Sequence, residues 1–269
     1  MSPREKMEIL VFTVIVIALS SVICFISFKL DDPNFSILTV FTPSLVALVL
    51  TAATIGKKGV YELFVRQTVR KIAVKWFLVS ALGIPTIASL ARLTSLGFNT
   101  SEFGLRTTQI LPQMVVITLI GLGEEFGWRG FLLPKLMKRF SVFHSSLILG
   151  LIWGFWHFPA YLIGTGVPQD MNFMVFMLWV VLGTLFISWI YFYTRSVLTS
   201  IFAHISANAA FNYLFILPEF TGSMDTFWIF LGYLTVLVLL VFYVGRRDLL
   251  QGGNAFRRRK KASSIQNNN

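Results

Sequence analysis

The run 123–130 places two adjacent carboxylates and an arginine inside a stretch that is otherwise apolar. Glu125 and Arg129 are four residues apart, so on a helix they share one face and can form an ion pair. Glu124 points about 100° away and is not matched by that pair. A carboxylate in an apolar setting beside a second carboxylate suits general acid–base chemistry. The pattern favours Glu124 as the reactive group, while Glu125 and Arg129 can equally serve as an ion-pair lock between helices.

Further polar side chains occur in the apolar stretches that follow. His157 comes four residues after Trp153, and His204 and Asn208 are also four apart and share a helical face. Taken singly, each is typical of a polar packing contact between helices. Counted at ~1.5 Å per residue, however, these groups and Glu124 fall in one layer of the apolar stretches, nearer the end that carries the chain termini. We therefore expect one shared polar centre, formed by Glu124, Glu125, His157, His204 and Asn208.

A carboxylate with imidazoles can activate water for attack on a carbonyl, and an imidazole or amide can stabilise the oxyanion. The same donors leave zinc open as a cofactor, with His157, His204 and Glu124 as its candidate ligands. No zinc motif of the H-E-x-x-H type is present, and no serine or cysteine with a spaced base stands out. The single cysteine, Cys24, excludes a disulfide framework and a thiolate metal site. We favour metal-free activation of water.

The elements that must position these groups are apolar segments of membrane-spanning length. Of the 269 residues, 55% are hydrophobic and 13% are charged, which is about half the charged share of a soluble domain. Segments of about 17–25 apolar residues are long enough to cross a bilayer as helices. The sequence predicts an all-α, polytopic membrane bundle of about eight transmembrane helices. They are expected at 9–28, 35–55, 76–91, 110–133, 145–163, 172–193, 197–217 and 227–244.

The formal charge of +11 is explained by orientation in a membrane. With these eight spans, 19 of the 23 lysines and arginines fall on the side of the termini. Basic loops stay in the cytoplasm, so we expect a multi-pass protein of the cell membrane with both termini cytoplasmic. No soluble domain remains that could present a basic face, which excludes nucleic acid as a partner. Membrane lipids are the expected surroundings.

Two basic segments lie outside the spans. Residues 57–75 read as an amphipathic helix that lies in the membrane interface and turns Val60, Leu63, Phe64, Val69 and Ile72 to lipid. Residues 252–269 are basic and then polar, which predicts a disordered cytoplasmic tail. The predicted domains are therefore an integral membrane domain over 1–251 and this tail.

The three polar motifs together resemble the CAAX protease and bacteriocin-processing family of intramembrane proteases, which includes the Ras-converting-enzyme type and Abi-type proteins. The family signature is E-E-x-x-x-R, then an aromatic residue four positions before a histidine, then H-x-x-x-N. Here it is matched by Glu124-Glu125 with Arg129, by Trp153 with His157, and by His204 with Asn208. The similar region covers 110–217. Trp153 is a departure, since the family often has phenylalanine there; both are aromatic, and we expect no large effect.

The resemblance implies an intramembrane endopeptidase whose site opens to the cytoplasm and whose substrate is a membrane-associated peptide or protein. It implies that Glu124 activates water with help from His157, and that His204 and Asn208 hold the oxyanion. Glu125 and Arg129, with Trp153, would orient the centre. The family has been described both as metal-dependent and as glutamate-based. Two alternatives use the same polar centre: a non-catalytic immunity or partner-binding membrane protein, and a proton-coupled transporter.

Overall fold

The computed structural model describes residues 2–251, and the predicted tail at 252–269 lies outside them. Within this range the chain is helical and contains no strand, since a helix satisfies every backbone polar group within the segment itself. The α-helices are α1 Pro3–Leu30, α2 Thr42–Ile55, α3 Lys57–Tyr61, α4 Val74–Ser95, α5 Ile110–Glu125, α6 Leu133–Leu136, α7 Val142–Trp156, α8 Phe158–Leu162, α9 Phe173–Thr194, α10 Val197–Tyr213, α11 Pro218–Thr221, α12 Asp225–Val244 and α13 Arg246–Leu249. Two 3₁₀ segments, Pro33–Phe41 and Thr100–Glu102, and two π-helical segments, Glu62–Arg66 and Phe126–Leu132, complete them.

Seven helical segments of residues 2–251 are long and apolar enough to cross a bilayer. The fifth predicted span is the one missing from these seven, because it is divided at His157 into the 15-residue α7 and the five-residue α8. Pro159 lies in the first turn of α8, where its missing amide hydrogen breaks the hydrogen-bond ladder. Together α7 and α8 still run from one end of the bundle towards the other. The predicted all-α, polytopic membrane bundle of about eight spans is confirmed.

The bundle has two opposite ends. We call the end at residues 2–5, 56–73, 137–141, 195–196 and 245–251 the terminal face, and the end at residues 31–34, 96–109, 163–172 and 214–224 the far face. At the terminal face, Lys135 Nζ lies 2.5 Å from a carboxylate oxygen of Glu8. At the far face, the Arg106 amide donates to the Tyr213 carbonyl at 3.0 Å. Both contacts join segments that the alternating spans bring to the same end of the bundle.

The basic segment 57–75 is helical only in its first half, so the prediction of one amphipathic helix is wrong. After the π-helical segment Glu62–Arg66 the chain is held by Gln67, whose carbonyl accepts from the Val197 amide at 3.0 Å. The Gln67 side chain also accepts a 2.9 Å hydrogen bond from the Tyr191 hydroxyl. Leu63 is buried against the bundle, whereas Val69 is 70% exposed. Tertiary hydrogen bonds to α9 and α10 thus replace the continuation of the helix.

Three helices bring the motifs together. The run with the paired glutamates lies at the end of α5, Trp153 and His157 lie at the end of α7, and His204 and Asn208 lie in α10. α10 packs against α5 and α9, and α9 runs along α7. The polar groups therefore meet in the interior of the bundle, where charged side chains are costly and mark function or mutual pairing.

Candidate active site

α5 changes to a π-helix directly after Glu125. All seven residues of the π-helical segment Phe126–Leu132 are buried. Two glycines let this part of the chain approach its neighbours closely: a Cβ at Gly123 would lie 2.6 Å from the Val40 carbonyl oxygen, and one at Gly127 would lie 2.5 Å from the Pro43 carbonyl. Single π turns are frequent at functional sites, because the extra residue changes the direction of the side chains around it.

Glu124 is buried and receives two indole hydrogen bonds on one carboxylate oxygen. Trp153 Nε1 donates to Oε2 at 2.7 Å from α7, and Trp128 Nε1 donates to the same oxygen at 3.3 Å from the next turn. Neither contact was predicted from the sequence, although Trp128 follows Glu124 by four residues, which is helical spacing. The other oxygen, Oε1, accepts no hydrogen bond from the described residues and stays free for a reacting group.

Trp153 also contacts His157, His204 and Arg129. Its carbonyl oxygen lies 2.9 Å from His157 Nδ1. Its ring lies edge-on to the His204 imidazole, with the ring centroids 5.3 Å apart. The Arg129 guanidinium lies over the same ring, 4.5 Å from its centroid, as a cation–π contact. A phenylalanine could keep the two ring contacts but not the hydrogen bond to Glu124. The expectation that tryptophan for phenylalanine has no large effect is therefore not supported by the geometry.

The Glu125 side chain points away from Glu124 and forms hydrogen bonds with two basic side chains, those of Arg129 and His204. Its Oε1 accepts from Arg129 Nη1 at 2.7 Å and contacts His204 Nδ1 at 2.9 Å. The predicted ion pair of Glu125 and Arg129 is thus present, and both side chains are fully buried. A buried ion pair adds little net stability, because desolvation offsets the attraction between the charges. The Glu125 carboxylate has a second role, because its hydrogen bond with Nδ1 fixes the orientation of the His204 ring.

The two imidazoles are each held through Nδ1. At His157 the partner is a carbonyl oxygen, so Nδ1 carries the proton and Nε2 keeps its lone pair. At His204 the partner is the Glu125 carboxylate, which accepts a hydrogen bond from Nδ1–H. Both rings therefore leave Nε2 for other partners. The His157 ring is further enclosed by Trp156 and Phe176, with ring centroids 4.6 Å and 4.9 Å away.

A cavity of about 670 Å³ lies over these groups. Glu124, His157, His204 and Asn208 line it, together with Trp153. Glu125 and Arg129 do not line it, but lie behind His204 and Trp153. Four of the predicted polar residues thus line one side of the cavity, and the buried ion pair of Glu125 and Arg129 lies behind them.

The cavity opens towards the far face. Its exposed lining residues all lie in far-face loops or in the far halves of helices: Pro33, Asn34, Ile37, Val116, Gly166 and Glu219. On the other side of Glu124, the buried segment Phe126–Leu132 separates it from the terminal face. The sequence-based estimate of how deep the polar residues lie was made by counting residues from the helix ends. It could not show at which end the helices separate.

The zinc alternative can be compared with the donor geometry. Among residues 2–251, no group of three or more histidine, cysteine, aspartate or glutamate side chains is arranged to hold a metal ion. Glu124, His157 and His204 share the cavity wall without forming such a group. The residues present do not fit a zinc site, and we derive no step through a metal.

Comparison with known proteins agrees with the polar motifs. Residues 106–210 match the model of the family described as type II CAAX prenyl endopeptidase Rce1-like. Over these residues the chain is similar to the Rce1-like CAAX prenyl endopeptidases. A relative from Methanococcus maripaludis, named CAAX prenyl protease 2, is 29% identical over 107 residues, which are 37% of this chain and 40% of the relative. The chain thus spans less than half the length of that protein. The family match at 106–210 covers α5, α7 and most of α10, with all the site residues predicted from the sequence.

Proposed function

We propose that this protein is an intramembrane endopeptidase of the CAAX-protease type, which hydrolyses a peptide bond of a membrane-associated peptide without a metal ion. The observation that carries the proposal is the Glu124 carboxylate in the cavity wall, with Oε2 held by two indoles and Oε1 unbonded. A buried carboxylate fixed through one oxygen is oriented to take a proton through the other. The similarity of residues 106–210 to the Rce1-like family supports the reaction class.

In the proposed reaction a water molecule attacks the scissile carbonyl carbon while Glu124 Oε1 takes its proton. The lone pair on His157 Nε2 accepts a hydrogen bond from the second O–H of that water and so orients the water. As the tetrahedral intermediate collapses, the C–N bond breaks and Glu124 returns the proton to the departing amine. The products are a carboxylic acid and an amine, which exchange one proton to become a carboxylate and an ammonium group, so that atoms and charge balance and Glu124 ends as it began.

The oxyanion of the intermediate is assigned to His204 and Asn208. As an imidazolium, His204 keeps its Nδ1 hydrogen on Glu125 and offers Nε2–H to the oxyanion. The Asn208 amide, one turn further along α10, offers a second donor from the same cavity wall. Glu125 and Arg129 act as positioning residues, because their pair fixes the His204 ring and places a cation over Trp153.

The cavity walls favour an apolar substrate segment. Beyond the polar groups they consist mainly of aliphatic and aromatic side chains, among them Ile117, Val180 and Phe211. Such walls lower the free energy of apolar side chains, at ~25 cal/mol for each Å² removed from water. A membrane-associated peptide, with a prenylated CAAX tail as one probe suggested by the relative's name, fits this lining.

The test is cleavage by purified protein in detergent, read by mass spectrometry with a farnesylated CAAX peptide and a library of apolar peptides. Glu124→Gln keeps an acceptor for the indoles but cannot take a proton. We expect Glu124→Gln to abolish cleavage at unchanged Tm. His204→Ala should abolish cleavage at a lower Tm, because the buried Glu125 carboxylate loses a partner. Glu62→Gln, at a surface carboxylate whose side chain is 42% exposed, should retain cleavage. Trapped peptides in the Glu124→Gln protein would identify the substrate. Cleavage by Glu124→Gln at the wild-type rate would overturn the assigned chemistry.

A further inference from the structure

We propose that a second cavity, at the terminal face, binds the phosphate headgroup of an anionic phospholipid. This cavity has a volume of about 1020 Å³ and shares no lining residue with the cavity over Glu124. Its lining residues fall within three segments, 51–70, 130–138 and 191–195. The proposed peptide hydrolysis gives it no role, and binding there requires no catalytic step.

The lining of this second cavity is strongly basic. Within residues 2–251 it has six cationic side chains and one carboxylate, that of Glu62. The cationic residues are Lys58, Arg66, Arg70, Lys135, Lys138 and Arg195. A recess lined by charges of one sign concentrates ions of the opposite sign. Three of the six are arginines, whose planar guanidinium matches phosphate oxygens with two parallel N–H donors.

Neighbouring carboxylates neutralise only part of this charge. Three of the six cations have one carboxylate partner each, in the ion pairs Arg66–Glu62, Lys135–Glu8 and Lys138–Glu5. Lys58 and Arg70 form no ion pair with any residue of the part of the chain that the structure describes. Six cations therefore face three carboxylates, and an excess of positive charge remains for an anionic ligand.

The same cavity also has an apolar wall. Leu63, Phe131 and Phe192 are buried lining residues, and Ile55, the last residue of α2, lines it with 58% of its surface exposed. A soluble phosphate gains nothing from such a wall. A phospholipid can place its headgroup on the basic residues and the first carbons of its acyl chains against the apolar ones. The combination therefore favours a lipid as the source of the phosphate.

The second cavity lies where the membrane helices end. α2 ends at Ile55 and α9 at Thr194, and both residues line the cavity. Trp76 stacks on Tyr193, another lining residue, with the ring centroids 5.3 Å apart. Tryptophan and tyrosine are enriched where the hydrocarbon core of a bilayer meets the headgroups. The basic residues are therefore at the level of the lipid phosphates.

The experiment is native mass spectrometry of the full-length protein in detergent, after removal of co-purified lipid. Phosphatidylglycerol and phosphatidylcholine with identical acyl chains are added separately, and the bound lipids are counted. Phosphatidylcholine carries the same phosphate together with a choline cation, so it measures binding by the apolar part of the lipid. We expect phosphatidylglycerol to bind more tightly by roughly tenfold, because each basic residue near a headgroup contributes to the attraction.

Two double variants separate the second cavity from the basic face as a whole. Lys58→Gln with Arg66→Gln removes two exposed cations from the lining. Lys57→Gln with Arg139→Gln is the matched control, since it also removes one exposed lysine and one exposed arginine at the terminal face, but neither lines the cavity. Because all four side chains are exposed, we expect both proteins to fold, which thermal unfolding without lipid checks.

We expect the first double variant to bind phosphatidylglycerol roughly tenfold more weakly than the wild type, and the control to change by less than about twofold. Equal losses in the two double variants would show attraction to the basic face as a whole and would overturn the site. Equal binding of phosphatidylglycerol and phosphatidylcholine by the wild type would overturn it as well.

Soluble phosphates distinguish the two sources of the anion. Inorganic phosphate and glycerol phosphate are added as competitors to the protein with bound phosphatidylglycerol. Retention of the lipid at equal concentrations of competitor supports the contribution of the apolar wall. Its displacement there would overturn the lipid as ligand and leave a soluble phosphate ester in its place. None of these measurements involves cleavage, so their outcome is independent of the proposed peptidase activity.

Discussion

Trp153 Nε1 donates a 2.7 Å hydrogen bond to Oε2 of Glu124, across the contact between α7 and α5. Through its backbone and ring the same residue also contacts His157, His204 and Arg129. A single tryptophan therefore sets the relative positions of the proposed base and its assisting groups.

Trp153→Phe tests the hydrogen bond apart from the ring. The phenyl ring keeps an aromatic face for Arg129 and His204 but cannot donate to Glu124. A hydrogen bond to a charged group is worth ~1.5–3 kcal/mol, so we expect kcat to fall by roughly 10- to 100-fold with KM little changed. Trp156→Phe is the matched control, because its indole donates at 2.6 Å to Ser20 and not to the carboxylate. Equal losses of kcat in both variants would contradict the positioning role.

The buried pair of Glu125 and Arg129 predicts a compensating double variant. Arg129→Met leaves a fully buried carboxylate without its cation, which costs ~3–5 kcal/mol and should lower Tm strongly. Adding Glu125→Gln removes that charge and keeps an acceptor for His204. We expect the double variant to regain most of the lost Tm but not the cleavage rate. Recovery of both would show that the pair has only a structural role.

The close approach at Gly127 predicts a large effect of one methyl group. A Cβ there would lie 2.5 Å from the Pro43 backbone, so Gly127→Ala must separate the π-helical segment from α2. Overpacking of this kind costs ~1–3 kcal/mol. At Gly232 a Cβ meets nothing within 4 Å, and alanine there should raise stability by up to ~1 kcal/mol through helix propensity. Thermal unfolding in detergent checks both, and similar Tm values for the two variants would contradict the packing argument.

The donor geometry predicts that chelation leaves the activity intact. Residues 2–251 hold no group of three suitable donors, and the proposed proton transfers use only side chains and water. We expect full cleavage after dialysis against 1,10-phenanthroline, and no stoichiometric zinc by elemental analysis of the purified protein. Loss of cleavage that is restored by added zinc would replace the glutamate-based chemistry with a metal-dependent one.

Hydrophobicity and charge were enough to determine the class of fold. Apolar stretches near 20 residues have few stable conformations other than a membrane helix, and seven of the eight predicted spans recur as single segments long enough to cross a bilayer. The spacing of four between Glu125 and Arg129 likewise predicted their ion pair, because neighbours on one helix are fixed by helical geometry alone. The scarcity of charges also pointed to Glu124, and the common depth of the polar groups added His157, His204 and Asn208; all four share one cavity.

Contacts between helices could not be predicted in this way. The indole of Trp153 reaches Glu124 because α9 and α10, which pack against α7 and α5 respectively, place the end of α7 opposite the end of α5, and 29 residues separate the two side chains along the chain. The segment 57–75 ends its helix at a hydrogen bond from Val197, far along the chain, which no local pattern records. The direction in which the cavity opens depends on where packed helices diverge. Local periodicity determines which side chains share one face of a helix. Which residues of other helices they contact, and where the cavity forms and opens, depend on how the helices pack in the assembled bundle.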